Sequence, residues 1–247
     1  MNVKNQTMVY LDIETIPGQN AALLQMLQEE AELAKAEIRA PANYKDEAKI
    51  TDYVLSKQAE IDAEIDQKFR KTSFDGAYGQ IVAISVAIND ESPVNIYSED
   101  WVRAEPVLLT EFYDLMRHVF KKPQDNIAVV IGHNVLSFDL RFILQRSMLL
   151  GIEPPAFIPF DAKPWDERVF DTMTRWSGVG NRVSLDKLCR VFGIPTKGSE
   201  IGEEIDGSLV WDFVRRGRVA DVATYCGGDV ERVRMLHRRM TFAQSPL

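Results

Sequence analysis

A nearly all-apolar run from Asn126, NIAVVIGHN, constrains the fold more than any other feature of the sequence. Such a run is typical of a strand that is buried on both faces of a sheet. Further strands are predicted at residues 7–13, 79–88, 94–98 and in VFDTM at 169–173, and the second and third of these form a hairpin. Helical periodicity dominates between and after the strands. The pattern predicts an α/β fold with a mixed β-sheet flanked by helices.

The segment at residues 19–70 differs in composition from its surroundings. It is rich in Gln, Glu, Ala, Lys and Leu, with apolar residues at helical spacing, and Pro41 divides it into two helices. Because it lacks a strand pattern, we interpret it as an N-terminal helical insert in a single domain that spans residues 1–247; a separate helical subdomain is the alternative. Other helices are predicted at 105–120, from Ser137, from the N-cap Ser184, at 208–217 and at 218–239.

Bulk properties exclude several classes of protein. The net charge of −8 argues against a protein that coats nucleic acid by charge, although an enzyme that holds one strand end remains possible. Cys189 and Cys226 are the only cysteines and form no zinc or disulfide pattern. The sequence has no apolar run of about 18 residues or more and no signal peptide pattern at its start. We therefore expect a cytoplasmic protein that does not enter a membrane.

Two acidic residues, Asp12 and Glu14, lie near the end of the first predicted strand. Residues two apart in a strand leave the same face, so the two carboxylates could share a ligand. Burying both would be costly unless they were paired or bound a metal ion. An exposed strand end is the commoner explanation for such a pair taken alone.

Three further residues have a pattern that allows catalysis. Asp139 is predicted in the first turn of the helix after NIAVVIGHN, where an acidic residue often only offsets the helix dipole. Tyr225 and Asp229 lie four apart on one face of the last helix. Between them, Gly227 and Gly228 each cost about 1 kcal/mol relative to alanine, which the close approach of another group would explain.

The segments LDIET, GHNVLSFDLRFI and YCGGDV resemble, in order and spacing, the three exonuclease motifs of the tyrosine-containing branch of the DEDD superfamily. The sequence is similar to the predicted 3′-5′ exonucleases related to the proofreading domain of family B DNA polymerases. Residues 41–50, 71–85 and 184–198 also resemble that group, so the similarity extends from Thr7 to about Met240. The third motif departs from the family pattern, since a bulkier residue usually stands at Gly227 or Gly228.

This resemblance implies a ribonuclease H-like fold and a 3′-5′ exonuclease that acts on single-stranded DNA and releases 5′-mononucleotides. It implies that two Mg²⁺ or Mn²⁺ ions are held by four carboxylates: Asp12, Glu14, Asp139 and Asp229. Tyr225 would orient the attacking water. Oxygen ligands suit such hard cations, and a pair of ions about 3.5–4 Å apart can activate water and stabilise the leaving oxygen.

Further residues are candidates for binding the substrate. They are Thr15, Ile16, His133, Asn134 and Phe138. Packing at the strand end would explain the first two, a structural hydrogen bond would explain the histidine, and core packing would explain the phenylalanine. Asp171 resembles a supporting carboxylate of the family.

Other functions remain open. The same site would cut RNA, and a nucleic-acid-binding or scaffold module could keep the fold without catalysis. The helical insert could bind a replication or repair partner. Arginines near the C-terminus would contact phosphates or form a solvated helix face: Arg215, Arg216, Arg218, Arg232, Arg234, Arg238 and Arg239.

Overall fold

The computed structural model describes residues 5–121, 126–196, 201–203 and 205–243. The chain groups into two compact units, of which one is Ile16–Gln80 and the other combines Met1–Thr15 with Ile81–Leu247. The assignment of residues 1–247 to a single domain stays a prediction.

A five-stranded sheet forms the centre of the larger unit. Its strands are β1 (Asn5–Ile16), β2 (Gln80–Ile88), β3 (Val94–Tyr97), β4 (Asn126–Gly132) and β5 (Val169–Asp171). The strand order is β3-β2-β1-β4-β5; β4 runs parallel to β1 and β5, and β2 runs antiparallel to β3. The prediction of a mixed sheet is therefore confirmed, and the architecture is consistent with a ribonuclease H-like fold.

The register of β1 determines where its acidic residues lie. Its pairing with β4 extends to Tyr10, which lies opposite Ile131. Asp12 and Glu14 follow two and four residues later, at the edge of the sheet where the parallel strands end. On the other side, Asn89 after the end of β2 donates to the Met8 carbonyl near the beginning of β1, so these two strands are antiparallel.

Eight α-helices are described: α1 (Ala21–Ala36), α2 (Glu47–Lys71), α3 (Trp101–Val119), α4 (Asp139–Leu150), α5 (Thr172–Ser177), α6 (Leu185–Phe192), α7 (Val210–Arg215) and α8 (Val219–Met240). Helix α3 begins four residues before the predicted Glu105. The predicted N-cap of α6 is confirmed, because the Ser184 hydroxyl accepts a hydrogen bond from the Lys187 amide at 3.2 Å. None of the helices in the described ranges is long and apolar enough to cross a membrane.

Apolar cores cover both faces of the sheet. Val9, Leu11 and Ile13 of β1 pack with residues of α3 and α4, whereas Tyr10 packs with residues of α6 and α8. Residues of β4 likewise divide between the two cores, as its apolar sequence predicts. Because side chains alternate along a strand, the even-numbered residues at the end of β1 point towards the layer that contains α8.

The smaller unit contains α1 and α2. Ion pairs join Lys35 to Asp62 and Glu30 to Lys68, so the two helices run antiparallel. Each residue of α2 is at least partly exposed. The structure thus agrees with the prediction of two helices separated near Pro41.

Candidate active site

The carboxylates of β1 lie close to a thiol of α8. Ligand atoms of Asp12, Glu14 and Cys226 are all within 4.8 Å of one another. Glu14 and Cys226 are buried, and Asp12 is partly exposed. The two carboxylates lie close together, as predicted, and α8 places the Cys226 sulfur atom beside them.

Asp139, the first residue of α4, contacts the end of β1 from another direction. Its Oδ1 atom accepts a hydrogen bond of 3.1 Å from the Ile13 amide. Burial raises the pKa of this carboxyl well above its usual range; its own amide and that of Ile13 oppose the rise, and the negative charges of Asp171 and Asp229 reinforce it. Asp139 is therefore within electrostatic range of two further carboxylates.

Tyr225 of α8 is almost completely buried beside the same acidic groups. Burial raises the pKa of its phenol, and the negative charges of Glu14, Asp229 and Asp12 raise it further. The phenol thus keeps its proton at neutral pH and can donate a hydrogen bond. The structure brings Tyr225 and four predicted carboxylates, from β1, α4 and α8, into one electrostatic environment.

Asp229 forms a buried ion pair on α8. Arg232 donates from Nη1 to its Oδ1 atom at 3.0 Å, and the same guanidinium donates to the carbonyls of Pro195 and Thr196 at 3.2 and 3.1 Å. Arg232 and Arg234 are both buried, so a solvated helix face was the wrong interpretation for these two arginines. Arg232 instead fixes the position of the Asp229 carboxylate.

A polar chain extends from Cys226 to β3. The Cys226 Sγ lies 3.3 Å from Asp12 Oδ2, and burial raises the pKa of the thiol. The Ser85 hydroxyl of β2 lies beside the thiol and donates a hydrogen bond to Asn95 Oδ1 at 2.8 Å. A Cβ atom at Gly227 would lie 2.7 Å from that Asn95 oxygen, closer than van der Waals contact allows. The close approach of a side chain therefore accounts for this glycine inside a helix.

Asp171 organises the loop between β4 and α4. It accepts hydrogen bonds from the amides of Met173 and Thr174 as the N-cap of α5, and from those of Asn134 and Leu136 at 3.1 and 3.2 Å. Asn134 has a positive φ of 64°, a conformation that asparagine tolerates better than most residues. The predicted supporting role of Asp171 agrees with these contacts.

His133 and Phe138, two predicted substrate-binding residues, have structural partners. The ring nitrogens of His133 lie 3.0 Å from the Thr172 hydroxyl and 2.9 Å from the Val183 carbonyl. Phe138 is half-buried, and its ring centroid lies 5.5 Å from that of Phe142. These contacts match the structural alternatives, and contact with substrate stays a prediction.

Thr15 and Ile16 are both buried at the end of β1. Complete burial of the Ile16 side chain fits packing at the strand end. Their predicted contact with the terminal nucleotide also stays a prediction.

A family model described as a predicted 3′-5′ exonuclease related to the exonuclease domain of PolB matches residues 71–247. The chain belongs to this family. The part that matches the exonuclease family includes Asp139, Tyr225 and Asp229, whereas Asp12 and Glu14 precede it. Because β1 lies between β2 and β4 of the matched part, the two acidic residues still reach the same site as the other three. No curated protein matches the chain.

The carboxylate oxygens of this candidate site fit a hard divalent cation. Asp12 and Glu14 supply carboxylate oxygens, the ligands that Mg²⁺ and Mn²⁺ prefer. Asp139 and Asp229 are buried carboxylates in the same environment, and such groups are costly to bury unless cations or hydrogen bonds compensate for them.

Sequence reasoning missed the contacts that four residues make around the site. These residues are Cys226, Ser85, Asn95 and Arg232. Ser85 had a recognisable signal, since it is the only hydroxyl residue in the otherwise apolar run IVAISVAI. The other three contacts depend on tertiary packing.

Proposed function

We propose that the protein is a metal-dependent 3′-5′ exonuclease that hydrolyses phosphodiester bonds at the 3′ end of single-stranded DNA and releases 5′-mononucleotides. Membership in a family of predicted 3′-5′ exonucleases supports a nuclease. The observation that carries the proposal is the convergence of carboxylates from β1, α4 and α8 beside a buried tyrosine. Clustered acidic groups of this kind are typical of metal-assisted phosphoryl transfer.

Four carboxylates would hold two Mg²⁺ or Mn²⁺ ions: Asp12, Glu14, Asp139 and Asp229. When bound, the ions would supply a nucleophilic water at neutral pH and stabilise the charge of the leaving 3′ oxygen. The protein contributes rigid ligand positions. Ile13 orients Asp139 through its amide, Arg232 orients Asp229, and Cys226 orients Asp12.

Tyr225 would orient the attacking water. Its neutral phenol can donate one hydrogen bond and accept another. Burial holds the ring in place, and the neighbouring negative charges of Glu14, Asp229 and Asp12 oppose loss of its proton. Tyr225 therefore acts by positioning the water and does not need to remove a proton from it.

The strand end would bind beside the β4–α4 loop. We propose that Thr15, Ile16, His133, Asn134 and Phe138 contact the terminal nucleotides, with the Phe138 ring near a base. DNA is the proposed substrate because the family is related to the exonuclease domain of PolB. Matched DNA and RNA strands distinguish this substrate from the alternative, an exoribonuclease.

The helical unit offers a surface for a protein partner. Leu24, Met26, Leu33 and Leu55 of α1 and α2 are exposed apolar residues. We propose that they contact a replication or repair protein in the cytoplasm. Deletion of residues 20–68 should abolish recovery of that partner and leave digestion of a free oligonucleotide intact; unchanged recovery would contradict the proposal.

Digestion of end-labelled oligonucleotides tests the proposed function. Single-stranded DNA and RNA of one sequence, labelled at the 5′ end, are incubated with Mg²⁺, Mn²⁺ or chelator. A metal-dependent ladder that shortens from the 3′ end of DNA, with 5′-mononucleotides as products, is expected. Faster shortening of RNA would identify an exoribonuclease. Binding without cleavage in either metal would indicate a non-catalytic module of the same fold.

A further inference from the structure

A cavity of about 670 Å³ lies beside β5, α5, α6 and the C-terminal end of α8. None of the proposed metal ligands lines it. Its wall combines four aromatic rings with two guanidinium groups: Phe170, Trp176, Phe192 and Phe242 with Arg175 and Arg239. We refer to it as the aromatic–arginine cavity. Flat apolar surfaces next to positive charge suit a ligand that has both a planar ring and an anionic group.

The aromatic side chains leave ring surface accessible. Trp176 packs edge-on against Phe192, with centroids 5.3 Å apart and planes at 72°. In spite of this contact, Trp176 is 49% exposed, and Phe242 is 92% exposed. Large exposed aromatic groups at the rim of a cavity are typical of a ligand-binding surface. A nucleobase can stack on such a ring whatever its identity, since every base has a π-face.

The guanidinium groups provide the charge. Arg175 lies over the Phe170 ring, 5.0 Å from its centroid. Arg239 is half-buried in the last turn of α8. Within residues 5–121, 126–196, 201–203 and 205–243, neither guanidinium forms an ion pair with a carboxylate, although the chain as a whole carries a net charge of −8. Both groups can therefore bind phosphate oxygens.

Two helices connect the cavity to the candidate active site. Arg239 follows Asp229 by ten residues in α8, which corresponds to about 15 Å along the helix axis. Helix α5 begins at its N-cap Asp171, which hydrogen-bonds to the β4–α4 loop, and its later residue Arg175 lines the cavity. At about 3.4 Å per stacked nucleotide, 15 Å corresponds to roughly four nucleotides.

We propose that the aromatic–arginine cavity binds the upstream part of the single strand whose 3′ end occupies the active site. Bases would stack on Trp176 and Phe242, and phosphates would contact Arg175 and Arg239. The inference rests on the proposed function for the nature of the ligand. It adds a second contact that short strands cannot reach, so affinity should increase with strand length.

Binding measured in chelator tests this contact without cleavage. Fluorescent single strands of about three and about twelve nucleotides are titrated at several salt concentrations. At about 3.4 Å per stacked nucleotide, the shorter strand would end before the cavity and the longer strand would extend past it. The double variant Arg175→Gln/Arg239→Gln is compared with Arg103→Gln/Arg117→Gln, which removes two positive charges from exposed positions on α3. Trp176→Leu tests the stacking contribution separately.

The expected results separate the cavity from general electrostatics. The cavity double variant should bind the longer strand at least about tenfold more weakly, and its log K against log salt slope should be shallower by about 1.4, or about 0.7 for each lost phosphate contact. Trp176→Leu should weaken binding without changing the slope. Binding of the shorter strand should not change in any variant.

Two other outcomes overturn the inference in different ways. If the wild-type enzyme digests DNA and both double variants bind the longer strand equally, the cavity has no role in binding and the proposed function stands. If the wild-type protein neither binds nor digests either strand, the proposed function fails, and the inference fails with it.

Discussion

The Cys226 thiol lies 3.3 Å from the Oδ2 atom of Asp12 and 3.4 Å from the carbonyl oxygen of the same residue. Because the thiol is the donor, it fixes the rotation of a carboxylate that we propose as a metal ligand. Groups that hydrogen-bond to metal ligands typically change metal affinity by about 10–100-fold when they are removed. Cys226 thus links a buried position on α8 to the chemistry at the end of β1.

Cys226→Ala should weaken Mn²⁺ binding by about tenfold, because Asp12 loses its donor. Cys226→Ser should restore most of the affinity, since a hydroxyl can also donate. Calorimetric titration with Mn²⁺ measures both. Cys189→Ala, which removes the other buried thiol from the core between α6 and α8, is the control and should bind Mn²⁺ normally. Equal losses in the two alanine variants would contradict a specific role.

The close contact between Gly227 and Asn95 predicts a coupled effect on stability. Alanine favours a helix over glycine by about 1 kcal/mol. At position 227, however, the new methyl group would lie 2.7 Å from Asn95 Oδ1 and would displace that side chain from Ser85. Gly227→Ala should therefore increase the free energy of unfolding only when combined with Asn95→Ala. A double-mutant cycle by urea denaturation measures the coupling, and an identical effect in both backgrounds would exclude it.

The buried Asp229–Arg232 ion pair should contribute much more to stability than an exposed pair of the same spacing. Arg232→Gln leaves the Asp229 carboxylate buried without its cation, which typically costs about 3–5 kcal/mol. Arg117→Gln breaks the exposed pair with Asp114 and should cost less than about 1 kcal/mol. Urea unfolding in chelator compares the two. Added Mn²⁺ should reduce the loss in Arg232→Gln, and equal losses would contradict the burial argument.

His237 should make the protein less stable in mild acid. Burial, with a smaller contribution from Arg238, lowers the pKa of its imidazole from 6.5 to about 4. Its Nδ1 atom lies 3.1 Å from the Tyr10 hydroxyl. Between these pH values the unfolded chain binds the proton and the folded protein does not, so the stabilisation is present above pH 6.5 and is lost as pH falls towards 4.

Urea denaturation across this pH range checks the contribution of His237. In His237→Gln, the free energy of unfolding should decrease less steeply as the pH falls. The change in slope should correspond to the uptake of up to about one proton on unfolding. His118→Gln, at an exposed position on α3, is the matched control. An unchanged slope in His237→Gln would show that other groups cause the acid sensitivity.

Much of the sheet could be predicted from the sequence because strand signals are local. The apolar run of β4 directly reflects its position between two cores, and the alternation in β1 places Asp12 and Glu14 on the same face. The five candidate catalytic residues also followed from spacing and resemblance. The residues that position them did not, since Cys226 meets Asp12 across 214 positions in sequence.

Burial of charged side chains was also not predictable from helix spacing. Arg232 and Arg234 belong to a segment that looks like a basic, solvated helix face, yet each is buried by carbonyl and carboxylate partners from elsewhere in the chain or from the same turn. The spacing of residues along a helix does not show which groups will form hydrogen bonds with these two arginines. The family resemblance identified the acidic residues of the site but gave no indication that Arg232 is the partner of Asp229.

The most direct test of the account is the rate at which the 3′-terminal nucleotide is released from 5′-labelled single-stranded DNA in Mg²⁺. Asp12→Ala should lower it by about a thousandfold, because metal stabilisation amounts to several kcal/mol. Tyr225→Phe should lower it by about a hundredfold, and Tyr97→Phe, at an exposed position on β3, should leave it unchanged. If Asp12→Ala keeps the wild-type rate, the carboxylates at the end of β1 are not the catalytic centre.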